Sequence, residues 1–504
     1  MKNKHFSLLF FLILLTSTFT SGQISVSNRL EYQLGNIPDS GRPAHYNLYD
    51  QLKLDYGYKK FSAGLRTESF TVTDNGQRYN RLAQKYIKFQ NHRFQIRLGN
   101  FFDILGRGLL LRTYEIPGVT FEDIGTRQRY GFYKDIDGIS GGYTGEYFQA
   151  MILYGRPLDL TRPPTNDREL RRPNLLQAGE INLNFGNYFT PGLLYLRQDF
   201  QNEITEFGGF NLNGNGISGS QYYVEYVQDL DKANDHFILG TGSRHAFYSS
   251  ISFSFNQMSI IAEYKDYHEF TLNFNDPPQL VREHSNTLLN RSTHSVEPQD
   301  ERGFQLESLI NLNGLNTLTL NYARATNKFG RIERTFREYH ADINYYLNDY
   351  SLIRPFINWS EDQIIDVYER ITAGITIEHD FLNIWGLGFD IQGQKFDRKY
   401  RFNQEQNHTT KNGYLGLSFT RAPNLAGGLA LELSNDPVEN NTLVPLDTDT
   451  YKAWLGFTLN YQFDQSHSTA LFYGKRRGGN ACTGGICYQV QPFEGFELRL
   501  NSLF

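Results

Sequence analysis

The chain has 504 residues, a formal net charge of −5 and a mean hydropathy of −0.51. So small a net charge argues against nucleic acid as a partner. The hydropathy would suit a water-soluble protein, but it does not exclude a membrane β-barrel, because half of each barrel strand faces a wet lumen and lowers the average. Aromatic residues make up 15% of the chain, with 39 Phe and 33 Tyr. Membrane barrels place such residues in girdles at both interfaces.

The N-terminus has the pattern of a cleavable secretory signal. Lys2 and Lys4 precede the apolar run Phe6–Leu15, which only Ser7 interrupts. A run of about ten residues is too short for the roughly 20 that span a bilayer as a helix. No cysteine follows the run, which argues against a lipoprotein. We therefore predict a signal peptide over residues 1–22 and one exported domain over residues 23–504.

Beyond the signal, the chain repeats one pattern: an alternating strand, a tight turn, a second alternating strand and a longer polar loop. The first predicted strand is Ile24–Leu34, and Asn313-Gly314 is the strongest turn signal because both residues tolerate positive φ. Other predicted turns lie near residues 58–60, 91–93, 145–146, 186–187, 256–257, 348–349, 379–380, 423–424 and 464–466. Transmembrane barrels show this alternation, with short periplasmic turns and long extracellular loops.

The hairpins predict an all-β fold, a transmembrane antiparallel β-barrel of about 22 strands within a range of roughly 20 to 24. The segment Glu203–Asp229 is either one long loop or a further strand pair. A water-soluble sandwich or propeller is the alternative, but no repeat other than the hairpin is visible. Because the predicted mature chain starts almost at once with a strand, we expect no plug domain of the TonB-dependent kind. A lumen this wide is then either open or filled by inward-folded loops.

The final stretch, Tyr488–Phe504, predicts the closing strand of the barrel. From Phe496 onward the even positions are apolar except for Ser502, and the odd positions are polar except for Leu503. The predicted sorting signal consists of Phe496, Leu498, Leu500 and Phe504. An ordinary sandwich strand that is terminal by chance is the alternative. The hairpins before this stretch, and a first strand for it to pair with, favour the barrel.

Two long loops carry candidate site residues. The loop 100–135 mixes apolar and ion-pairing residues, which suits a segment folded inside the barrel. One interpretation is a constriction whose arginines select anionic solutes, and the favoured one is a strut fixed by Arg–carboxylate pairs. The candidate constriction residues of this loop are Arg107, Arg112, Glu115, Glu122, Asp123, Arg127 and Arg129.

The second long loop, residues 276–302, adds Arg282 and Arg291 to the candidate constriction. Polar loops of this length are usually functional or disordered. An inward-folded gating or binding loop is one hypothesis and a solvated loop the other. His284 and His294 match no metal-ligand spacing, so we predict neither a metal site nor a cofactor.

Cys482 and Cys487 are the only cysteines of the chain. In an exported protein, two cysteines on a Gly-containing turn predict a disulfide that closes a short loop. We place this loop outside the membrane, where it would hold the closing hairpin.

Two stretches of the chain resemble those of a family of uncharacterised Gram-negative outer-membrane barrels, a domain of unknown function. They are Gly106-Arg107-Gly108-Leu109 after Gly99–Phe102, and the cysteine loop followed by Pro492–Gly495. The resemblance implies a barrel fold and an outer-membrane location over nearly the whole mature chain. It implies no activity.

The sequence therefore predicts an outer-membrane channel, porin-like, for small hydrophilic solutes. The alternative is a plugged structural or assembly barrel that docks a surface lipoprotein or a secretion partner. Expected partners are outer-membrane lipid, the barrel assembly machinery and, in the alternative, the lipoprotein, with no nucleic acid. We expect no enzyme, since Ser, His and carboxylates are numerous enough to meet by chance and no His-Glu-x-x-His motif occurs.

Overall fold

The computed structural model describes residues 22–504 except 42, 73–77, 124, 159–172, 187, 202, 217–218, 231–243, 280–281, 296–299, 383, 403 and 441–449, with backbone alone at 401–402 and 404–406. The predicted signal peptide, apart from Gly22, lies outside the described residues. Among those described, no helix is both long and apolar enough to cross a membrane.

Thirty strands and two short helices make up the described chain. The strands are β1 (Gln23–Asn36), β2 (His45–Tyr58), β3 (Phe61–Val72), β4 (Tyr79–Gln90), β5 (Phe94–Phe101), β6 (Ile104–Leu105), β7 (Leu111–Arg112), β8 (Tyr114–Glu122), β9 (Arg129–Lys134), β10 (Ile136–Thr144), β11 (Phe148–Pro157), β12 (Leu175–Leu183), β13 (Thr190–Phe200), β14 (Glu203–Asn215), β15 (Gln221–Asp229), β16 (His245–Phe255), β17 (Met258–His268), β18 (Asp300–Asn313), β19 (Asn316–Phe329), β20 (Ile332–Asn348), β21 (Ser351–Asp362), β22 (Val367–Phe381), β23 (Trp385–Phe402), β24 (Gln404–Arg421), β25 (Leu425–Ser434), β26 (Lys452–Gln462), β27 (His467–Arg476), β28 (Gly479–Thr483), β29 (Ile486–Val490) and β30 (Phe493–Leu503). The helices are α1 (Thr287–Arg291) and α2 (Pro437–Asn440), and a 3₁₀ turn covers Gln363–Ile365.

Twenty-four of these strands, β1–β5, β10–β27 and β30, form one antiparallel sheet that closes on itself. The closing ladder joins β1 to β30 and pairs Leu34 with Phe496 and Ser27 with Leu503. Beyond the strand, the backbone amides of Val26 and Phe504 each donate to the other's carbonyl, at 3.0 and 2.7 Å. Closure pairs the backbone polar groups that a sheet edge would leave free, as a hydrocarbon environment requires. The predicted fold class is confirmed.

The two faces of the wall have opposite chemistry, as the period-two pattern predicts. In β1, Glu31 and Gln33 point inward and are buried, whereas Leu30, Tyr32 and Leu34 point outward. Exposed apolar side chains continue around the outside, for example Ile152, Leu193 and Leu455, with 70%, 64% and 57% of their surface exposed. An apolar outside and a polar inside are the reverse of a water-soluble protein and fit a barrel in a bilayer.

The connections differ sharply between the two ends of the barrel. At one end all turns are short, for example Lys59–Lys60 between β2 and β3 and Gly314-Leu315 between β18 and β19. At the other end lie the long connections, of which three turn back into the lumen over their described residues: 102–123 with 125–135, 269–279 with 282–295, and 477–492. We call them the first, second and third inserts. They lie against inward-facing wall residues and carry the candidate site residues and the cysteine loop.

The strand number corrects our central prediction of about 22 strands, although 24 lies at the upper end of the predicted range. The segment Glu203–Asp229 is a strand pair, β14 and β15. Gly208, Gly209 and Gly214 interrupt its apolar alternation, which is why the pattern left a loop open as an alternative. The closing strand is also shorter than predicted. It begins at Phe493, because Pro492 has no amide hydrogen to donate to a ladder.

Candidate functional site

The first insert enters the lumen between β5 and β10 as two small hairpins, β6–β7 and β8–β9. At the tip of β6–β7, the amides of Gly106 and Arg107 donate to the carboxylates of Glu180 and Glu225 on the wall, at 3.0 and 2.7 Å. Gly106 has φ +55°, and a Cβ there would lie 2.4 Å from Glu225 Oε2. Glycine therefore allows both the left-handed turn and this close approach.

The hairpin β6–β7 packs through an apolar core inside the barrel. Leu105, Leu109, Leu110 and Leu111 are fully buried, all at 0% exposure. The inward-facing wall residues around them are also apolar and include Leu153, Leu176, Leu194, Leu196, Phe207, Val227 and Ala246. Burying this much apolar surface holds the first insert by the hydrophobic effect, which needs no charge pairing.

The hairpin β8–β9 meets the barrel seam through a cluster of charges. The Arg129 guanidinium lies 3.0 Å from Glu31 on β1 and 3.8 Å from Glu497 on β30. Arg499 also binds Glu31, at 2.8 Å. Burial by itself would lower the pKa of Arg129, but the carboxylates of Glu31, Glu497 and Glu122 raise it above its ordinary value. The cluster ties the insert to both closing strands, because either charge left alone in this buried place would be costly.

The second insert has two parts with different surroundings. Its first part, residues 269–275, continues the apolar core with Phe270, Leu272 and Phe274. Its second part consists of residues 276–279 and 282–295. Asn275 joins the second insert to the first insert, since its Oδ1 accepts from the Arg112 amide at 2.6 Å and its Nδ2 donates to the Leu109 carbonyl at 2.8 Å. The two inserts are thus locked together at this point.

Polar contacts hold the second part of the second insert to β18–β25. Arg282 bridges Glu307 and Asp342 at 2.7 and 3.1 Å. Arg291, at the end of α1, binds Glu432 at 2.6 Å. Three further hydrogen bonds join the insert to this wall: the Leu288 amide donates to Gln392 at 3.0 Å, Gln394 donates to Ser292 Oγ at 3.0 Å, and Arg370 donates to the Ser292 carbonyl at 3.3 Å. Leu288 and Leu289 are the buried apolar residues of α1.

The two histidines of this insert bind wall carboxylates at separate places. His284 Nε2 lies 3.0 Å from Glu338. His294 Nδ1 lies 3.0 Å from Asp362, and its Nε2 lies 3.6 Å from Glu301. Burial by itself would lower the pKa of His294, but the charge and hydrogen bond of Asp362, with Glu301, raise it to about 9. Within the described residues, no three or more His, Cys, Asp or Glu side chains group as metal ligands would.

The third insert carries the predicted disulfide, with Cys482 Sγ 1.99 Å from Cys487 Sγ. It bridges the hairpin β28–β29, which is turned inward. Asn290 brackets Cys482, accepting from its amide at 2.9 Å and donating to its carbonyl at 3.1 Å. Arg112 donates to the Gly484 carbonyl at 2.8 Å. Our prediction that this loop pins the closing hairpin from outside is wrong, because these partners belong to the other two inserts.

Polar cavities remain between the inserts and the short-turn end. One of about 660 Å³ lies beside the second insert and is lined by Arg282, His284, Asp342, Arg354, Glu378 and Asp390, among others. Another of about 690 Å³ lies below Arg107 and is lined by tyrosine, serine and amide side chains. The guanidinium of Arg107 lies 5.0 Å above the ring of Tyr223. The inserts therefore narrow the lumen without filling it.

Most of the predicted constriction residues serve as anchors. Six of the nine form ion pairs, namely Glu115, Glu122, Arg127, Arg129, Arg282 and Arg291. Asp123 fixes a turn by accepting from the amides of Gly125 and Thr126. Among the described residues, the guanidinium groups of Arg107 and Arg112 form no ion pair with a carboxylate; Arg107 binds Glu225 through its backbone amide alone. This placement fits the strut interpretation, and selection of anions by these arginines stays a prediction.

Sequence reasoning missed the apolar seat of the first insert. A signal for it was present, since Leu193-Leu194-Tyr195-Leu196 in β13 is apolar on both faces and Leu109-Leu110-Leu111 is an apolar run in a polar loop.

The motif Gly138-Ile139-Ser140-Gly141-Gly142 matches the esterase pattern Gly-x-Ser-x-Gly. It lies within the barrel strand β10 and not at a strand-to-helix turn, and Ser140 Oγ donates to Asp103 at 2.5 Å.

A family model matches the N-terminal part of the chain. Residues 1–121 match the model of a "Family of unknown function (DUF6029)". The match contains the Gly106–Leu109 stretch and ends before the cysteine loop. The match confirms a resemblance to an uncharacterised family over this part of the chain, and the closed barrel confirms the fold that the resemblance implied. None of the curated proteins compared with the chain matches it.

Solved barrels resemble the chain in architecture at low identity. The P pilus usher (PapC) translocation pore is 10% identical, with a TM-score of 0.47, over 95% of this chain and 99% of that chain. The siderophore receptor PirA from Pseudomonas aeruginosa is 11% identical, with a TM-score of 0.45, over 96% and 80%. OccAB4 from Acinetobacter baumannii is 9% identical, with a TM-score of 0.37, over 97% and 99%. Similarity this low concerns the barrel alone.

Proposed function

We propose that this protein is an outer-membrane channel for small hydrophilic solutes, which its own three inserts hold closed at rest. The closed wall and its apolar outside support the membrane location, since only helices and closed barrels satisfy their backbone groups in lipid. The short turns would then face the periplasm and the inserts would enter from the cell exterior.

The polar lumen supports passage of hydrophilic solutes. Selectivity in such pores comes from width, hydrogen-bonding groups and charge. The lining of the 660 Å³ cavity includes four carboxylates, those of Glu283, Asp342, Glu378 and Asp390, and two arginines. Carboxylates outnumber guanidiniums there, so we expect the open channel to prefer K⁺ over Cl⁻, which is the opposite of the anion selection considered for the arginines. The reversal potential in a KCl gradient measures this preference.

The observation that carries the proposal is the polar seat of the second insert. Its second part is attached to β18–β25 through the Arg282 and Arg291 ion pairs and side-chain hydrogen bonds. Water and salt can replace such contacts when the segment leaves, so its release costs less than breaking an apolar core. Beside it lies the cavity that would become the path. We assign the gate to residues 276–279 and 282–295, the described residues of this part of the insert.

Planar-bilayer recording of the purified full-length protein tests the gate. We expect a mostly closed wild type, and at least about tenfold longer open time in the double variant Arg282→Gln/Arg291→Gln, since a lost charged contact is worth about 1.4 kcal/mol or more. Arg331→Gln is the matched control, because Arg331 is exposed at the turn after β19. The proposal fails if neither the wild type nor variants with residues 107–129 or 276–295 replaced by Gly-Ser linkers conduct.

The structural or assembly barrel is the second candidate. The apolar seat of the first insert favours it, because a plug fixed by a core of this kind does not leave easily. Absence of conductance in all variants, together with a lipoprotein that co-purifies in equal amount, would support this candidate instead.

A further inference from the structure

A small pocket lies where the three inserts meet. It has a volume of about 240 Å³ and is lined by β8 and β9 of the first insert, by Asp276 and Gln279 of the second, and by Ile486–Tyr488 of the third. Among the residues that the structure describes, those lining the pocket all belong to the inserts and not to the wall strands. The pocket is separate from the solute cavities, and the proposed gate does not use its aromatic side.

One side of the pocket is aromatic. Phe132 is central, with its ring 6.0 Å from Tyr114, 5.5 Å from Phe121 and 5.0 Å from Tyr488. Aromatic faces and edges offer a flat ligand a large apolar contact in a defined orientation. The volume is below the roughly 300–1,000 Å³ of drug-sized sites, which limits the ligand to about one ring.

The other side of the pocket is polar. Lys134 forms an ion pair with Asp276, and the Tyr114 hydroxyl donates to Asp276 Oδ2 at 3.1 Å. Burial and the Asp276 carboxylate raise the pKa of Tyr114, so its hydroxyl keeps its proton. The Asp276 side chain is 42% exposed, so that the polar side can be reached by a ligand. It offers both hydrogen-bond donors and acceptors.

These two sides together select a chemical class. An apolar ligand would cover the Lys134–Asp276 pair without replacing its lost water contacts, at a free-energy cost. A cationic ligand would meet the Lys134 ammonium, which already lies 5.9 Å from the centre of the Tyr114 ring. A neutral pyranose ring avoids both problems. Its C–H face can stack on the aromatic rings, its hydroxyls can donate to and accept from the polar side, and it carries no charge to be repelled by Lys134. We propose that this pocket binds one neutral sugar ring.

Saturation-transfer NMR on the full-length protein, purified in a detergent without a sugar headgroup, tests the proposal. The probes are methyl α-D-glucopyranoside, methyl β-D-galactopyranoside and N-acetylglucosamine, with phenylalaninamide as the aromatic probe that lacks a sugar. We expect at least one sugar to bind, and Asp276→Asn to weaken that binding at least about tenfold, because a hydrogen bond to a charged group is lost.

Two further variants and a control keep the test decisive. Lys134→Gln and Tyr488→Ala should weaken the same sugar, whereas Tyr147→Ala, an exposed aromatic residue at a short turn with 75% of its surface exposed, should bind as the wild type does. Binding of none of the sugars, equal binding by the wild type and all three pocket variants, or binding of phenylalaninamide alone would overturn the proposal. The measurement does not require conduction, so its outcome is independent of the channel test.

Discussion

The first and second inserts lie in the same lumen, but they are held there by different forces. Leu109, Leu110 and Leu111 of the first insert are sealed against inward-facing apolar residues of β11–β16. The second part of the second insert instead binds β18–β25 through Arg282, Arg291 and side-chain amides. The inner face of the barrel wall therefore has an apolar sector at β11–β16 and a polar sector at β18–β25.

This difference indicates which part of the plug is permanent and which can be released. An apolar core resists salt and pH, because its free energy comes from surface removed from water. Ion pairs and hydrogen bonds exchange with water and ions at smaller net cost. If this comparison is right, perturbations of charge should loosen the second insert and leave the first in place.

The largest expected effect is on the apolar seat. Leu110→Ala should lower the free energy of opening the first insert by about 2–5 kcal/mol, the usual cost of a large cavity in a core. Leu289→Ala in α1 should cost the second insert less, about 1–2 kcal/mol, since polar neighbours and water can adjust there. Hydrogen exchange of the backbone amides in residues 104–112 and 287–291 measures both. Equal losses in the two inserts would contradict the comparison.

The next effect is the pH dependence of the second insert. The pKa of His294 is raised to about 9 from an ordinary 6.5, so the protonated ring stabilises the folded insert. This contribution is complete below pH 6.5 or so, is lost as the pH rises through about 9, and amounts to about 3 kcal/mol. The carboxylates of Asp362 and Glu301 face the His294 ring, and Phe336 stacks on that ring. Lys265 forms an ion pair with Glu301.

Hydrogen exchange of residues 287–295 between pH 6 and 10, corrected for the intrinsic rate, should show this weakening. His294→Asn is the control and should remove the pH dependence while leaving residues 104–112 unchanged. A slope that persists in His294→Asn would assign the titration to another group.

A smaller effect concerns the disulfide of the third insert. Replacing Cys482 and Cys487 by serine opens a loop with a sequence separation of 5, which should cost about 2 kcal/mol in the chain-entropy description. The loss should appear in β28–β29 and in α1, whose Asn290 brackets Cys482. Exchange of residues 479–490 and 287–291 measures it. Faster exchange of residues 104–112 to the same extent would show that the third insert supports the apolar seat as well.

The architecture could be predicted from sequence because a barrel strand carries its pattern locally. The alternation in β1 and β30 indicated two faces without knowledge of any partner, and the structure pairs these two strands. The pair β14–β15 was left open because its glycines weaken that local pattern.

The plug could not be predicted in the same way, because its contacts are not local. Arg129 binds Glu31 and Glu497, which lie on opposite sides of the chain closure. Nothing in the spacing of these residues indicates that they meet. Cysteine count predicted the disulfide, but not that Asn290 and Arg112 draw its hairpin inward. The many charged residues of the loop suggested a strut fixed by ion pairs. Only the folded structure shows which wall strand carries the partner of each charged residue.

The smallest expected effect separates the two seats by salt alone. Raising ionic strength from about 0.1 to 1 M shortens the screening length from about 10 to 3 Å, which weakens partly exposed ion pairs by less than about 1 kcal/mol each. Arg282 qualifies, because its side chain is 24% exposed. Leu110, at 0% exposure, is held by apolar contacts that do not depend on charge.

Hydrogen exchange of the second insert should therefore accelerate a few-fold in KCl. Exchange of residues 104–112 should stay constant or slow, since salt does not weaken apolar burial. The double variant Arg282→Gln/Arg291→Gln should lose this response. If both inserts instead accelerate together, the plug opens as one body and the two seats are not independent.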